Sequence, residues 1–263
     1  MRLVISDLDG TLLDSTNYSN DAARRAIDEL RRRFIPLVLC TSKTRAEVEY
    51  WRERLNNPHP FIVENGGAVY IPKGYFPFPV SGAVERDDYD VVELGTPYGR
   101  LAQELRAISR ESSCAALGFA DMSVADVSLK TGLPVRQAEL AKRREYDEPF
   151  EILGAGTYRL LDCITAHGLH WTRGDRFYHI TGNNSKAEAS RRLVALYRQA
   201  FGTVSTIGLG DGHNDTGLLR EVDFPVVVLS PFAPALVRAV PRSTVSRFPG
   251  PRGWSEAVLR MVS

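Results

Sequence analysis

Short apolar runs alternate with amphipathic segments along the first 63 residues of the chain. Apolar runs at 3–5, 36–40 and 61–63 have the length of buried strands, and the segments 20–33 and 44–55 lie between them. Within 20–33, apolar residues recur at helical spacing and charged residues occupy the other face, so the pattern predicts a helix. Strands that alternate with helices favour right-handed crossovers and therefore a parallel sheet.

The same alternation returns in the last third of the chain. Apolar runs at 177–180, 204–209 and 224–229 predict further strands. Helices are predicted over 185–200 and after Asn214. We expect these segments to continue the parallel sheet that the first residues begin.

The middle of the chain has a different pattern. Residues 72–82 are rich in proline and glycine, which is typical of a linker or a turn-rich crossing. The residues beyond it show helical and strand patterns at 98–111, 134–146, 156–167, 91–94 and 149–153. We predict an α/β protein whose doubly wound, mostly parallel sheet is built from 1–82 and 176–263, with an inserted α/β domain over 83–175.

Composition and charge exclude several classes of protein. Of the 263 residues, 43% are hydrophobic and 25% are charged, as expected for a globular chain of one large or two modest domains. The net charge of +1 removes the electrostatic argument for a nucleic-acid partner. Three widely spaced cysteines indicate a reducing compartment, and neither a leader segment nor an apolar run of about 20 residues is found. A cytoplasmic protein without a membrane partner, monomeric or homodimeric, is the expectation.

Acidic residues follow two of the predicted strands. Asp7 and Asp9 come after the first strand, and Asp211 and Asp215 come after the run at 204–209. Because ligands bind outside the carboxyl ends of strands in doubly wound sheets, these carboxylates are expected to converge. They would repel one another without a cation, and Mg²⁺ prefers oxygen ligands. Asp7 and Asp9 alone would be equally compatible with an ordinary turn.

Two further strand ends supply groups that suit a phosphoryl group. Thr41 follows the second strand and offers a hydroxyl group and a backbone N–H. Lys186 lies in the first turn of the helix that begins near Ser185, where an ammonium group and a helix N-terminus together favour an anion. Groups that can bind phosphate (Thr41 and Lys186) opposite carboxylates that can bind a metal ion together indicate phosphoryl chemistry.

In chain order, these motifs resemble those of the haloacid dehalogenase-like phosphatases. The matching segments are Asp7-Leu8-Asp9-Gly10-Thr11, Thr41, Lys186 and Gly210-Asp211-Gly212-His213-Asn214-Asp215, and the insertion falls where that family carries its type-II cap. The resemblance implies that Asp7 attacks phosphorus to form an aspartyl-phosphate and that Asp9 is the general acid and base.

The resemblance also implies a ligand set for the cation. Mg²⁺ would be held by the Asp7 carboxylate, the Asp9 carbonyl and Asp211, with Asp215 and Asn214 in support directly or through water. Thr41 and Lys186 would stabilise the charge on the phosphoryl oxygens.

Four segments are similar to the branch of that family that acts on mannosyl-3-phosphoglycerate. They are Thr41-Ser42-Lys43-Thr44, Val63-Glu64-Asn65-Gly66-Gly67, Arg144-Glu145-Tyr146-Asp147-Glu148-Pro149-Phe150 and Arg176-Phe177-Tyr178-His179. Lys186 departs from the pattern of the branch, since no Asp precedes it and no Gly follows it. Glucosyl-3-phosphoglycerate, sucrose phosphate and a phosphohexomutase reaction stay open as alternatives, whereas a phospho-accepting receiver module is disfavoured by the length of the chain.

Such a substrate carries a phosphate, a carboxylate and sugar hydroxyl groups, and each requires its own partners. An Arg or Lys suits the carboxylate, and the candidates are Arg144, Arg143, Lys142 and Lys43. Polar groups that could bind the remaining oxygens are Ser42, Glu64, Asn65, Glu145, Asp147 and Asn183. The alternatives are a solvated helix end for 142–145, a tight turn for 64–67 and structural roles for His179 and His213.

Overall fold

The structure is a computed structural model that describes residues 1–174 and 176–262. The predicted domain limits at Asp175 and Ser263 lie outside the described residues. The strands are β1 (Arg2–Ser6), β2 (Leu37–Cys40), β3 (Phe61–Val63), β4 (Ala68–Pro72), β5 (Val84–Arg86), β6 (Tyr89–Glu93), β7 (Ala115–Gly118), β8 (Glu148–Leu153), β9 (His170–Arg173), β10 (Tyr178–Thr181), β11 (Ser205–Gly210), β12 (Phe224–Leu229) and β13 (Thr244–Pro249). The helices are α1 (Arg24–Arg32), α2 (Arg45–Arg54), α3 (Tyr98–Glu111), α4 (Val124–Thr131), α5 (Val135–Ala141), α6 (Thr157–Ala166), α7 (Lys186–Phe201), α8 (Thr216–Glu221), α9 (Ala233–Ala239) and α10 (Gly250–Val262).

A nine-stranded sheet forms the core of the molecule, in the order β13-β12-β11-β1-β2-β3-β4-β6-β5. The six strands from β13 to β3 are parallel, whereas β4, β6 and β5 pair in antiparallel fashion. From β1 the chain builds outward to β3, and later returns to the other side of β1 to build outward from β11 to β13. The predicted doubly wound, mostly parallel α/β fold is confirmed, and the reversal of strand order lies beside β1.

Helices cover both faces of this sheet. Four consecutive residues of β1 are buried, as expected for a central strand that packs on two sides. One face packs against α1, α2 and α10, with Trp254 fully buried, and the other packs against α7 and α8 through Leu193 and Leu218. Among the described residues, no helix is both long enough and apolar enough to cross a membrane.

A second sheet of four antiparallel strands, in the order β7-β8-β10-β9, forms a smaller layer. Its buried face packs against α3 and α6, and Phe150 and Ile180 are fully buried there. This sheet and the helices α3 to α6 are called the cap below, and the rest of the molecule is called the core.

Two predicted strands belong to the opposite sheet from the one expected. The run at 177–180 was predicted for the parallel sheet, but β10 pairs with β8 and β9 in the cap. The run at 91–94 was predicted for the insertion, but β6 pairs with β4 in the core. An apolar run indicates that a strand is buried, but tertiary packing determines which strand it pairs with. The chain therefore passes from the large sheet to the second sheet after β6 and returns to the large sheet after β10. The predicted domain limits stay a prediction.

The proline-rich segment 72–82 is a packed part of the core rather than a linker. Phe76 is buried there, stacks on Phe78 and meets the ring of Tyr197 edge to face. The two connections between core and cap instead run through 94–97 and 182–184. They touch each other, because a Cβ atom added at Gly182 would lie 2.2 Å from Oγ1 of Thr96.

The predicted helix at 134–146 ends early. It stops at Ala141, and a separate helix, α4, precedes it with a Ser123–Asp126 capping box at its start. Residues 142–147 form a loop instead, which packs against the core and contributes to the site described next.

Candidate active site

The acidic residues converge at the carboxyl end of β1, where the strand order reverses. Asp7 follows β1 directly, and its backbone N–H donates to the carbonyl of Leu209 in β11 at 2.9 Å. Asp211 follows β11, so the parallel pairing of the two strands brings both carboxylates to the same edge. Carboxylate oxygens of Asp7, Asp211 and Asp215 all lie within 4.8 Å of one another.

A buried lysine joins two of these carboxylates. Nζ of Lys186 lies 2.6 Å from Oδ1 of Asp7 and 2.6 Å from Oδ1 of Asp215. Lys186 is 2% exposed, and it begins α7 behind a Ser185 side chain that accepts the N–H of Glu188. The predicted convergence of Lys186 with the acidic strand ends is therefore found.

The electrostatics of the cluster follow from this burial. Burial raises the pKa of Asp7 well above its ordinary value, and the charges of Asp215 and Asp211 raise it further. Burial and the charge of Asp215 raise the pKa of Asp211 to about 7. For Lys186, burial lowers the pKa, but the two carboxylates raise it more, so the ammonium stays charged. One cation for three carboxylates, two buried and one partly buried, leaves the cluster short of positive charge.

The remaining oxygens fit a hard divalent cation. Oδ2 of Asp215 accepts the backbone N–H groups of Asp211 and Gly212 at 3.1 and 3.0 Å, so both of its oxygens already have protein partners. The described bonds to Asp7 and Asp211 go to Oδ1 alone, the latter from the hydroxyl group of Thr11 at 2.7 Å. Gly10 is required beside them, because a Cβ there would lie 2.5 Å from Oδ2 of Asp211. The site therefore fits a divalent metal ion held by Asp7 and Asp211, with Asp215 as a brace.

Asp9 lies next to the cluster and is held by Lys43, a residue predicted to bind substrate. Nζ of Lys43 lies 2.9 Å from Oδ2 of Asp9 and 3.4 Å from Oε1 of Glu47. The ring of Tyr18 lies 5.0 Å from the same ammonium group. The other oxygen of Asp9 is inaccessible and has no partner among the described residues. This Asp9–Lys43 pair was not predicted from the sequence, because it joins two motifs that lie more than 30 residues apart in the chain.

Thr41 and Ser42 lie at the end of β2. Thr41 is 1% exposed, and its hydroxyl oxygen accepts the N–H of Lys43 at 3.3 Å. Ser42 lines the cavity, and its carbonyl accepts from Nη1 of Arg144 at 2.8 Å. Arg144 also lines the cavity and thus joins the cap to the core at the site.

Glu64 and Glu145, both predicted to bind sugar hydroxyl groups, lie outside the cavity. The Glu64 carboxylate accepts the backbone N–H groups of Glu145 and Tyr146 at 2.8–3.1 Å, which ties the 142–147 loop to the core. Burial raises the pKa of Glu64 to about 8. The Glu145 carboxylate accepts from Tyr70 and Arg86 at 2.8 and 3.0 Å instead.

Asn65 belongs to a chain of hydrogen bonds that runs from the acidic loop into the cap. Nδ2 of Asn214 donates to Oδ1 of Asn65 at 3.2 Å, and Nδ2 of Asn65 donates to Asp147 at 2.7 Å. Asp147 is fully buried and also bonds to Nδ1 of His179, at 2.9 Å for Oδ1 and 3.1 Å for Oδ2. Asn214 and His179 line the cavity, whereas Asn65 and Asp147 lie behind its wall.

The predicted substrate residues Asn183 and Lys142 are not brought to the site. Asn183 is exposed and bonds through Oδ1 to His170 in β9 at 2.6 Å. The neighbouring Asn184 is the buried residue, and its amide group lies 3.4 Å from the carbonyl of Asn65. Lys142 donates to backbone carbonyls of Phe119 and Met122 within the cap.

The cavity between core and cap has a volume of about 620 Å³. Its acidic lining lies on the core side and comprises Asp7, Asp9, Asp14, Glu47 and Asp211. On the cap side, every charged or titratable lining residue that the structure describes is basic: Arg144, Arg173, Arg176 and His179. Arg173 and Tyr18 were not singled out from the sequence, because each comes from a segment with no local chemical pattern, and Arg176 was placed in the family-like segment 176–179 without a role.

Comparison with known proteins agrees with this geometry. The sequence pattern of haloacid dehalogenase-like hydrolases matches residues 4–77. A glucosyl-3-phosphoglycerate/mannosyl-3-phosphoglycerate phosphatase of Methanococcoides burtonii is 42% identical over 265 aligned residues, which cover 99% of this chain and 97% of the relative. A mannosyl-3-phosphoglycerate phosphatase of Pyrococcus furiosus is 36% identical and covers 87% of this chain and 91% of its own.

Solved structures share the fold at low sequence identity. A Thermoplasma acidophilum protein superposes with a TM-score of 0.70 at 16% identity and covers 100% of this chain and 99% of its own. The sucrose-phosphatase of Synechocystis superposes with a TM-score of 0.63 at 16% identity and covers 99% of this chain and 98% of its own. With the acidic strand ends, the buried lysine and relatives that match nearly the whole chain, the protein belongs to the haloacid dehalogenase-like hydrolase family.

Proposed function

We propose that this chain is a Mg²⁺-dependent phosphomonoesterase that hydrolyses glycosyl-3-phosphoglycerates, with the mannosyl compound as its principal substrate. The observation that carries this proposal is the charge distribution in one cavity: all the acidic lining residues that the structure describes lie on the core side, and the titratable lining residues described on the cap side are all basic. Such a cavity suits a ligand whose phosphate faces a cation at the acidic floor and whose second anionic group faces the cap. The relatives from Methanococcoides burtonii and Pyrococcus furiosus bear names of this activity.

Asp7 is the nucleophile in this proposal. One of its carboxylate oxygens forms a bond to phosphorus while the bond between phosphorus and the ester oxygen breaks, which gives an aspartyl-phosphate and an alkoxide. Asp9, two residues further along the same edge, gives its proton to that alkoxide and later takes a proton from the attacking water. Hydrolysis of the acyl phosphate then returns Asp7 and releases inorganic phosphate.

The cation would be held by Asp7 and Asp211, with Asp215 and Asn214 around it. When bound, it supplies positive charge that offsets the repulsion between the anionic nucleophile and the anionic phosphate. Lys186 holds Asp7 in place and adds a second positive charge at the phosphoryl oxygens. The proposed role of Thr41 is a further contact to these oxygens.

The leaving group is bound by the cap side of the cavity. Arg144 is fixed by its bond to the carbonyl of Ser42, and it offers a guanidinium group to the glycerate carboxylate. Lys43 lies on the core side of the same cavity and can support that contact. The three cysteines are free, which suits the cytoplasm as the proposed compartment.

A phosphate-release screen tests the proposal. Mannosyl-3-phosphoglycerate, glucosyl-3-phosphoglycerate, sucrose 6-phosphate and mannose 6-phosphate are compared with and without Mg²⁺, at several substrate concentrations. We expect the highest kcat/KM for the mannosyl compound and loss of turnover on chelation of the metal. Equal kcat/KM values for the four esters would contradict the proposed substrate preference and indicate a phosphatase without selectivity among them. Transfer of phosphate to a sugar hydroxyl instead of water would identify a mutase.

A further inference from the structure

Two of the groups predicted from the sequence to bind sugar hydroxyl groups, Asn65 and Asp147, do not line the cavity, and the ring of His179 lies between Asp147 and the cavity. Asn65 and Asp147 are buried behind the wall, and the Glu145 carboxylate bonds to Tyr70 and Arg86 away from the cavity. His179 is bonded to Asp147 and lines the cavity itself.

The strand pairing fixes the direction of this ring. Tyr178 and Ile180, on either side of His179 in β10, pack into the helix-covered face of the cap sheet. Since successive side chains of a strand point to opposite faces, His179 points the other way. Its partner across the ladder is Pro149 in β8, which also lines the cavity.

Asp147 determines which nitrogen of the ring carries the proton. Burial raises the pKa of Asp147, but His179 and Arg144 lower it more, so the carboxyl group is ionised at neutral pH. An ionised carboxylate only accepts hydrogen bonds, and therefore Nδ1 of His179 is the donor. In the neutral ring, Nε2 then carries the free lone pair. The bonds of the ring to residues 1–174 and 176–262 are all made through Nδ1.

One further contact holds this arrangement, and a glycine leaves room for the ring. Nδ2 of Asn65 donates to the second oxygen of Asp147 at 2.7 Å, so the carboxylate cannot turn away from the ring. Gly174 leaves space at the other edge of the ring, because a Cβ there would lie 3.2 Å from Nε2.

We infer that Nε2 of His179 accepts a hydrogen bond from a sugar hydroxyl group of the substrate, and that Asp147 is the positioning residue that fixes this tautomer. The inference rests on the proposed function and names the cap residue that reads the sugar. The other titratable residues described on the cap side are arginines, which only donate, and sugar hydroxyl groups also require acceptors.

The test is the substrate selectivity of His179→Phe, which keeps a planar ring and removes the acceptor. Selectivity is the ratio of kcat/KM for mannosyl-3-phosphoglycerate to kcat/KM for p-nitrophenyl phosphate, which has no sugar. We expect this ratio to fall roughly tenfold to a hundredfold, mainly through KM. His179→Gln, whose carbonyl oxygen can accept, should restore part of the ratio. The matched control is His167→Phe at the end of α6, which bonds to Glu111 outside the cavity and should keep the wild-type ratio.

The role of Asp147 is tested by its effect on the ring. In Asp147→Asn the amide group can donate to Nδ1, which moves the ring proton to Nε2 and removes the acceptor. We expect the ¹⁵N shifts of the His179 ring to report a proton on Nδ1 in the wild type and on Nε2 in the variant, with a matching loss of selectivity. If the variant does not fold, the wild-type spectrum decides the tautomer.

Two results would overturn the inference: an unchanged selectivity in His179→Phe, or a wild-type ring with a proton on Nε2, whether as the neutral tautomer or as the doubly protonated imidazolium. Neither result bears on the proposed function, which is tested first by phosphate release from glycosyl-3-phosphoglycerates by the wild type. If the wild type releases phosphate from these esters but the ratio in His179→Phe is unchanged, only the role of His179 is rejected. The proposed function would still stand.

Discussion

At the scale of single residues, the site depends on one ammonium group shared by two carboxylates. Lys186 and its partners Asp7 and Asp215 are all 6% exposed or less, so solvent does little to screen their charges. Breaking such a buried arrangement by removing one charge typically costs about 3–5 kcal/mol, because the charge that is left behind lacks a partner. A substitution of the nucleophile is therefore informative only if it keeps the shape of the side chain and leaves the Lys186 ammonium a charged partner, which Asp215 supplies when Asp7 is replaced.

Asp7→Asn meets this condition and tests the nucleophile. We expect kcat for glycosyl-3-phosphoglycerates to fall roughly a thousandfold or more, because the amide cannot form the acyl phosphate. The fold should persist, since Asn can still accept from Lys186, and circular dichroism and thermal unfolding check this. The control is Asp14→Asn, an acidic residue of the same cavity whose carboxylate accepts from Thr16, and kcat there should stay close to wild type. Mass spectrometry excludes deamidation, and an intact Asp7→Asn with wild-type turnover would remove Asp7 from its role.

His59 gives a residue-scale prediction about stability. It bonds through Nδ1 to the hydroxyl group of Tyr75 at 2.7 Å, and burial and then Arg52 lower its pKa to about 4. Below a pH of about 6.5 the unfolded chain takes up a proton that the folded chain refuses. The free energy of unfolding should thus fall by about 2 kcal/mol between pH 7 and pH 5 on account of this group.

Urea unfolding of wild type and His59→Gln at pH 7 and pH 5 measures that contribution. The difference between the two proteins should shrink at pH 5, because the variant lacks the titrating ring. Tyr75→Phe is the matched control: it removes the hydrogen bond but leaves the ring buried, so most of the pH dependence should persist. A His59→Gln variant with the wild-type pH dependence would show that the ring titrates normally in the folded state.

At the scale of elements, the two connections between core and cap form a close crossing. A Cβ added at Gly182 would lie 2.2 Å from Oγ1 of Thr96 and 3.1 Å from its backbone nitrogen. We expect Gly182→Ala to destabilise the protein by roughly 1–3 kcal/mol, since the two connecting segments must move apart. Thermal unfolding should show a loss of several degrees, and adding Thr96→Ala should recover part of it by removing the hydroxyl group. An unchanged melting temperature in Gly182→Ala would show that the two connecting segments can move apart at little cost in stability.

The elements themselves were largely predictable, since period and length define a strand or a helix locally. The helix predicted over 98–111 matches α3, and the strand predicted over 224–229 matches β12. The partners of β10 and β6 were not predictable, because an apolar run has the same pattern in either sheet. The helix predicted over 134–146 ends at Ala141, because Glu64 of the core binds the backbone of the following loop, and that contact lies 81 residues away in sequence.

The candidate site was likewise predictable only in part. Asp7, Asp211, Asp215 and Lys186 could be brought together from the sequence, because each follows or begins an element whose place in a doubly wound sheet is fixed. The cap residues could not, because their roles depend on which way a loop faces. Glu145 and Asp147 are two residues apart, yet one bonds to Tyr70 and Arg86 and the other to Asn65 and His179.

At the scale of the whole molecule, repulsion among the clustered carboxylates destabilises the metal-free folded protein, and a bound cation offsets this repulsion. Burial raises the pKa of Asp211 to about 7 and that of Asp7 well above its ordinary value. In the metal-free protein the unfolded chain loses these protons at lower pH than the folded chain. The contribution of these carboxylates to stability should therefore fall as the pH rises from about 4 to about 7.

Mg²⁺ should reverse this trend, because it binds the ionised carboxylates and competes with protons for them. At a hundred times its dissociation constant, Mg²⁺ should stabilise the protein by about 2.7 kcal/mol, or roughly 5–10 °C in Tm. Since protons occupy part of the cluster at pH 6, the rise in Tm on adding a fixed Mg²⁺ concentration should be larger at pH 8. Asp211→Asn should abolish the rise at both values, whereas Asp14→Asn should retain it. An equal rise at both pH values in the wild type, or a rise that persists in Asp211→Asn, would place the cation away from these carboxylates.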